Sequence, residues 1–372
     1  MKEKKQSIAQ MFKINFRGLS LIHRLIPWNY FWNFLYVTFE VLYRFWSFFF
    51  LARLIDHTVE GAAREILIHD IVILVVGEMV VHMLFQGLQN FYFYCGSNIW
   101  EWANVHLNEK IMSMDYEYME SEMVHNKRRD IDAAARNYGY GINQLFWYFT
   151  ATISSSSNLL VSLGYIVYLI SRCTDAFMGK PVQMILFILV FVCLFALLII
   201  LIARKNSSAQ KQINEVKEEL LPHFRHSDYY VKEYIEKEEC GKAIRMFHQQ
   251  PLLAGRLSEV FEQLYQGFHH IGTIRCKKMQ WVSVIQMLIS GLIYFMLGYL
   301  VLKQAITIGS VCLYAGCISN FLVYFNDWVE QLIQLRNNTK YIKMYFDFLD
   351  IPNKKYEGTL PVEKRDDDQF TI

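Results

Sequence analysis

Eight polar residues stand inside otherwise apolar stretches: Glu40, Arg44, Glu78, His82, Ser154, Asn158, Ser162 and Asn320. Glu40 and Arg44 are four residues apart, as are Glu78 and His82, so on a helix each pair shares a face. Ser154, Asn158 and Ser162 repeat at the same interval and make one hydroxyl–amide stripe. Helix rise places Glu40, Glu78, Asn158 and Asn320 near the middle third of a bilayer. Ionisable groups at that depth are costly and tend to face a cavity or a partner. The group can therefore line a polar pathway. A plainer reading has Glu40 and Arg44 neutralising each other while Ser and Asn side chains hold helices together.

Other candidate chemistry is thin. His223 with His226, or His269 with His270, lacks a third ligand at suitable spacing, so no metal site is expected. Seven scattered cysteines without a CxxC pair imply neither a disulfide framework nor a zinc site. Lys127-Arg128-Arg129 suits solvent or lipid headgroups rather than nucleic acid.

The elements that must position these residues are membrane helices. The chain of 372 residues is 53% hydrophobic and only 19% charged, below the roughly 25% charge of soluble domains. Residues 1–24 are basic and amphipathic, as for a helix lying in the membrane interface. Six segments are apolar enough to span: about 27–52, 66–95, 144–170, 182–203, 281–302 and 307–330. The connections after the first, third and fifth hold only Arg53, Arg64, Arg172, Lys180 and Lys303. Basic residues concentrate in the N-terminal tail and the other connections, which places both termini and both long connections in the cytoplasm.

Those long connections, 96–138 and 204–278, read as helical arms. In the second, Val216, Leu220, Val231, Ile235, Ile244, Phe247, Leu252, Leu257, Phe261 and Leu264 recur every three to four positions, as one face of a helix. In the first, Ile99, Ala103, Leu107 and Ile111 continue the second span without a breaker. A helix from Ile66 to Met114 is about 73 Å long, more than twice the roughly 30 Å hydrocarbon layer. The expected fold class is an all-α membrane protein of six transmembrane helices with two long cytoplasmic hairpins.

This layout resembles the transmembrane domain of ATP-binding cassette exporters of the fused kind. The likeness covers essentially the whole chain. It is carried most specifically by KEECGKAIRMF at 237–247, TIGSVCLYAGCISNF at 307–321 and YIKMYFDFLDIPNKKYEGTLPVEKRDDDQFTI at 341–372. The resemblance implies an interfacial helix at 1–24, a six-helix domain at 25–346 and a linker at 347–372 into a nucleotide-binding domain. It implies a homo- or heterodimer in the cell membrane, working by alternating access. The arm turns would be coupling helices resting on nucleotide-binding domains: Asp115, Tyr116, Glu117 and Tyr118 in one, Asp228, Tyr229, Tyr230 and Tyr234 in the other. ATP and Mg would be bound by that further domain. Gly179-Lys180 is followed by Pro181 and Gly241-Lys242 by Ala243, so neither forms a phosphate-binding GxxxxGK[ST] loop. No catalytic residue and no cofactor is expected on this chain itself. The competing expectations are a non-transporting scaffold of the same fold and a proton-coupled transporter using Glu40, Glu78 and His82.

Overall fold

The computed structural model describes residues 8–176 and 181–352. Among them every regular element is helical: α1 (Ile8–Leu25), α2 (Asn29–Val59), α3 (Arg64–Ser113), α4 (Tyr116–Met119), α5 (Glu122–Tyr138), α6 (Ile142–Ala176), α7 (Pro181–Tyr229), a π-helical turn (Tyr230–Ile235), α8 (Glu238–Met246), α9 (Gln250–Leu302) and α10 (Ile308–Leu349). Five of these, α2, α3, α6, α9 and α10, are long and apolar enough to cross a membrane. A helix satisfies its backbone hydrogen bonds internally, which is what lets such sequence cross hydrocarbon. The chain is thus an all-α integral membrane protein. The expected spans at 27–52, 66–95, 144–170, 281–302 and 307–330 fall on these five helices, within a few residues at their ends. The segment 182–203 falls in α7, where most side chains lie outside the described residues.

Surface composition agrees. On α3, Val72, Val75, Val76, Met79, Val80 and Met83 are all largely exposed, and on α9 Met287 and Phe295 are 78% and 77% exposed. In water such runs would be a liability, whereas lipid is their matching solvent.

Contacts group the chain into two units, each with its own core. One joins Pro27–Cys95 to Phe146–Asn337; the other joins Gly96–Leu145 to the described parts of Met1–Ile26 and Asn338–Ile372. The division differs from the 1–24, 25–346 and 347–372 segmentation expected from sequence, because α3, α6 and α10 each contribute to both units. Most of the 347–372 stretch lies outside the described residues.

In the smaller unit, Ile22, Ile99, Leu107, Leu145, Ile342, Tyr345 and Phe348 are fully buried or nearly so. Gly18 permits α1 to seat closely, since a Cβ there would stand 2.5 Å from Leu145 Cδ2. The opposite face of α1 presents Phe12 and Phe16, 73% and 74% exposed, as the amphipathic pattern requires. Arg17 donates to both carboxylate oxygens of Asp350, at 2.6 and 2.7 Å, and lies 4.2 Å from the centre of the Phe346 ring. The hydrogen-bonded guanidinium holds the Asp350 carboxyl below its ordinary range. Lys110 Nζ donates to Ile351 O at 2.6 Å, just past the end of α10.

In the larger unit, Ile166 and Leu169 of α6 pack with Ile289, Ile293, Leu297 and Leu300 of α9 and with Tyr314, Ala315, Ile318 and Leu322 of α10. The second arm has a separate seam between α7 and α9, made by Ile213, Leu220, Val260, Leu264 and Ile271 with Val216, Phe224 and Ile274 around them. Gly267 lets the two helices meet, because a Cβ there would come within 2.3 Å of Leu220. The sequence-based stripe is only partly right. Val216, Leu220 and Leu264 lie in the seam, but Ile235, Phe247, Leu252 and Phe261 are each more than half exposed. Pro222 and the π-helical turn interrupt the helical register between Leu220 and Phe247, α8 has no buried residue, and on α9 it is Val260 rather than Phe261 that shares the seam with Leu264. A single period cannot be carried through such breaks. Beside the seam, burial and the neighbouring Arg275 push the Lys217 ammonium down to about 8.

Candidate functional site

Glu40 is the centre of the site. On α2 the buried positions include Asn33, Val37 and Glu40, a spacing of three to four that turns one face inward. Glu40 is 7% exposed. Its carboxylate accepts from three helices. Ser154 Oγ of α6 donates to Oε2 at 2.6 Å; Arg44 Nη2 and the Tyr324 hydroxyl of α10 approach Oε1 at 3.3 and 3.4 Å. The Arg44 guanidinium also lies 5.0 Å from the centre of the Tyr324 ring. A carboxylate in an apolar setting needs such partners, and the short Ser154 bond carries charge-assisted strength.

The α6 stripe continues inward. Asn158 and Ser162 are fully buried. Asn158 Nδ2 donates to Ser154 O at 3.0 Å, whereas Asn158 Oδ1 and Ser162 Oγ find no hydrogen-bond partner among the described residues. Asn320 is half-buried on α10, and its Nδ2 is likewise without an acceptor there. Glu40, Arg44 and Ser154 are therefore brought together, with Asn158 bonded behind Ser154.

Glu78 and His82 stand apart from this centre. Glu78 is half-buried on α3 with no hydrogen bond or ion pair among the described residues. The exposed His82 ring packs on Tyr43 at 4.8 Å. Around them α2 and α3 are joined by rings: Tyr43 on Phe85, Phe85 on Tyr36, and Tyr36 on Tyr92 at 4.7 Å and nearly parallel. Gly77 admits the Trp46 indole, which a Cβ would meet at 2.2 Å. Much of the aromatic content of these helices is packing.

At the arm ends, Asp115 precedes the four-residue α4, on which Tyr116 is 68% exposed. The Tyr116 hydroxyl donates to Glu120, and Glu117 is exposed with Tyr118 half-buried. In the second arm, Tyr229, Tyr230 and Tyr234 form one aromatic trio at the π-helical turn, with the Tyr229 and Tyr234 hydroxyls 3.3 Å apart. Tyr230 packs against the α7–α9 seam, while Tyr229 remains 52% exposed. Asp228 pairs with Lys232 at 3.9 Å.

Sequence reasoning missed two junctions at the other end of α2. Asp70 is fully buried, with Arg53 Nε at 3.3 Å and His57 Nδ1 at 2.5 Å. Asp56 accepts from the Thr307 hydroxyl and from Gly309 N–H, both at 2.7 Å, at the start of α10. The available signal was that these polar residues bracket two short connections. Among the described residues, no group of three His, Cys, Asp or Glu is arranged to hold a metal ion. Compared with known proteins, the chain matches no family model, and no curated protein is significantly similar to it.

Proposed function

We propose that this chain is the membrane domain of an ATP-driven exporter of the ATP-binding cassette type. It acts as one half of a dimer, with residues 182–203 of α7 as the fourth of six spans. The helix pairs beyond the lipid are cytoplasmic arms. Their ends, at Asp115–Glu122 and Asp228–Ile235, are the surfaces on which nucleotide-binding domains rest. ATP with Mg binds in those domains, and their closure is passed along the arms so that the membrane cleft alternates between inward and outward access.

The observation that carries this reading is the length of α9. Its 53 residues make a rod of about 80 Å, against roughly 30 Å of hydrocarbon. The excess packs on α7 through a dedicated apolar seam, so it is a stiff projection rather than a tail. The Glu40 centre then ties α2, α6 and α10 together, and the arm ends supply exposed Tyr116 and Tyr229 as aromatic anchors.

Topology and coupling are tested in one system. Single cysteines replacing Glu117 and Glu238 should react with an impermeant maleimide only in inside-out vesicles, and one replacing Glu60 only in intact cells. With nucleotide-binding domains present, Y116A and Y229A should uncouple ATP hydrolysis from substrate stimulation. Labelling of the arm ends from outside the cell would sink the proposal.

One observation favours a second reading. Glu78 has no polar partner among the described residues, as suits a residue on a proton path. Flux driven by a pH gradient without ATP, and lost in E78Q, would establish that reading instead.

A further inference from the structure

Just past its apolar run α7 carries Arg204, Lys205 and Lys211, and just before its own run α9 carries Arg275, Lys277 and Lys278. Neither 181–214 of α7 nor 263–302 of α9 contains an Asp or Glu, so the two helices do not neutralise these cations at their own level. Neighbouring acids answer two of them. Lys211 Nζ stands 3.9 Å from Glu215, and Lys278 Nζ reaches Glu330 of α10 at 2.7 Å. Arg204, Lys205, Arg275 and Lys277 are exposed and have no ion pair among the described residues.

α10 closes one side of the α7–α9 pair at this level. Asn206 Nδ2 donates to Asn326 Oδ1 at 2.8 Å, and Gln334 Nε2 donates to Gln210 Oε1 at 3.3 Å. Lys278 is taken up there, its side chain only 15% exposed. Lys205 and Lys277 are left outside and flank a single indole. Lys205 Nζ lies 5.6 Å from the centre of the Trp281 ring. Lys277 precedes Trp281 by four residues, so the two share a helix face.

Trp281 is 59% exposed and opens the apolar run, the position at which tryptophan marks the boundary between hydrocarbon and headgroups. Val284 and Leu288 follow on the same face, 51% and 68% exposed. Within about 17 Å the surface passes from two ammonium groups through an indole to bare aliphatic side chains.

That gradient selects its occupant. An acidic peptide in water would satisfy the lysines and leave Val284 and Leu288 uncovered. A zwitterionic lipid would cover the aliphatic surface and leave the positive charge unanswered. An anionic lipid does both, as basic clusters at the edge of a span are known to require. The attraction is local, because the whole chain carries a net charge of only +2.

We propose that Lys205 and Lys277 bind the phosphate of an anionic glycerophospholipid across the Trp281 ring, with an acyl chain lying along Val284 and Leu288. The inference requires that α9 crosses the membrane and is independent of ATP-driven transport.

The test uses the full chain in nanodiscs of equal phosphatidylglycerol and phosphatidylcholine, with retained lipid read by native mass spectrometry. Each lysine beside an anionic headgroup contributes about a fivefold factor, so phosphatidylglycerol should be retained about twentyfold over phosphatidylcholine. K205Q and K277Q should each lower that ratio about fivefold, and the double variant should bring it near one. K205R/K277R, which keeps both charges, should preserve it. K211Q/K242Q removes two exposed cations elsewhere on the arm and should leave it unchanged. Equal retention of the two lipids by the unmodified chain, as when a second copy covers this face, overturns the proposal. So does a ratio that K211Q/K242Q lowers as far as K205Q/K277Q, which would assign it to diffuse charge.

Discussion

Glu40 and Glu78 are two carboxylates at similar depth in neighbouring helices, and their surroundings are opposite. Glu40 is buried and accepts bonds from α2, α6 and α10; Glu78 is half-buried and has no partner among the described residues. Depth along a helix is set by the rise per residue and can be counted from sequence. Partnership depends on which face the packing turns inward, and that requires knowing the neighbours. The pair shows that an acidic residue in a membrane span can be a structural knot or a free group at the same level of the bilayer.

The contrast is broken most strongly by removing the knot. E40A leaves Ser154 without its acceptor and Arg44 without its counter-charge, so thermal unfolding in detergent should show a loss of about 3 kcal/mol. S154A removes only the shortest of the three bonds and should cost about 1–2 kcal/mol. If E40A proves as mild as S154A, Glu40 is not the knot described. K217M tests the converse, a half-buried cation whose charged form is disfavoured by burial and by the neighbouring Arg275. Because burial lowers the Lys217 ammonium to about 8, its penalty is fully present below that pH. The penalty fades as pH rises towards the unfolded value of about 10.4. K217M should therefore stabilise by about 1–2 kcal/mol at neutral pH, with the gain vanishing above about pH 10. E78Q should change stability by less than about 0.5 kcal/mol, because no bond is lost. The exposed Arg17–Asp350 pair gives the smallest effect. Asp350 is held below its ordinary value by Arg17, so its contribution is present at neutral pH and lost only as acid protonates it. D350N should flatten the acid limb of an unfolding-versus-pH curve and leave the rest unchanged.

Helix existence was legible from sequence because unbroken apolar runs leave few alternatives in lipid. The end of α3 at Ser113 lies one residue from where the spacing placed it, and the α6 stripe of Ser154, Asn158 and Ser162 does face inward. The Glu40–Arg44 pair was legible because it is local. The partner Tyr324 was not, being 284 residues from Glu40. Nor could periodicity anticipate that Ile235 and Phe247 are exposed, since a π-helical turn adds a residue to the local repeat and rotates everything after it.

The two helices of the second arm differ in stiffness. α9 begins with Pro251 in its first turn, where proline costs nothing, and then runs uninterrupted for 53 residues. α7 carries Pro222 eight residues before a π-helical turn, so its last turns lack one backbone bond and hold others in weaker geometry. A load on the tip would travel up α9 as along a strut while α7 yields, like a sprung member beside a rigid one. Amide hydrogen exchange should register that compliance as fast opening between His223 and Glu236, facing slow exchange along Val260–Ile274.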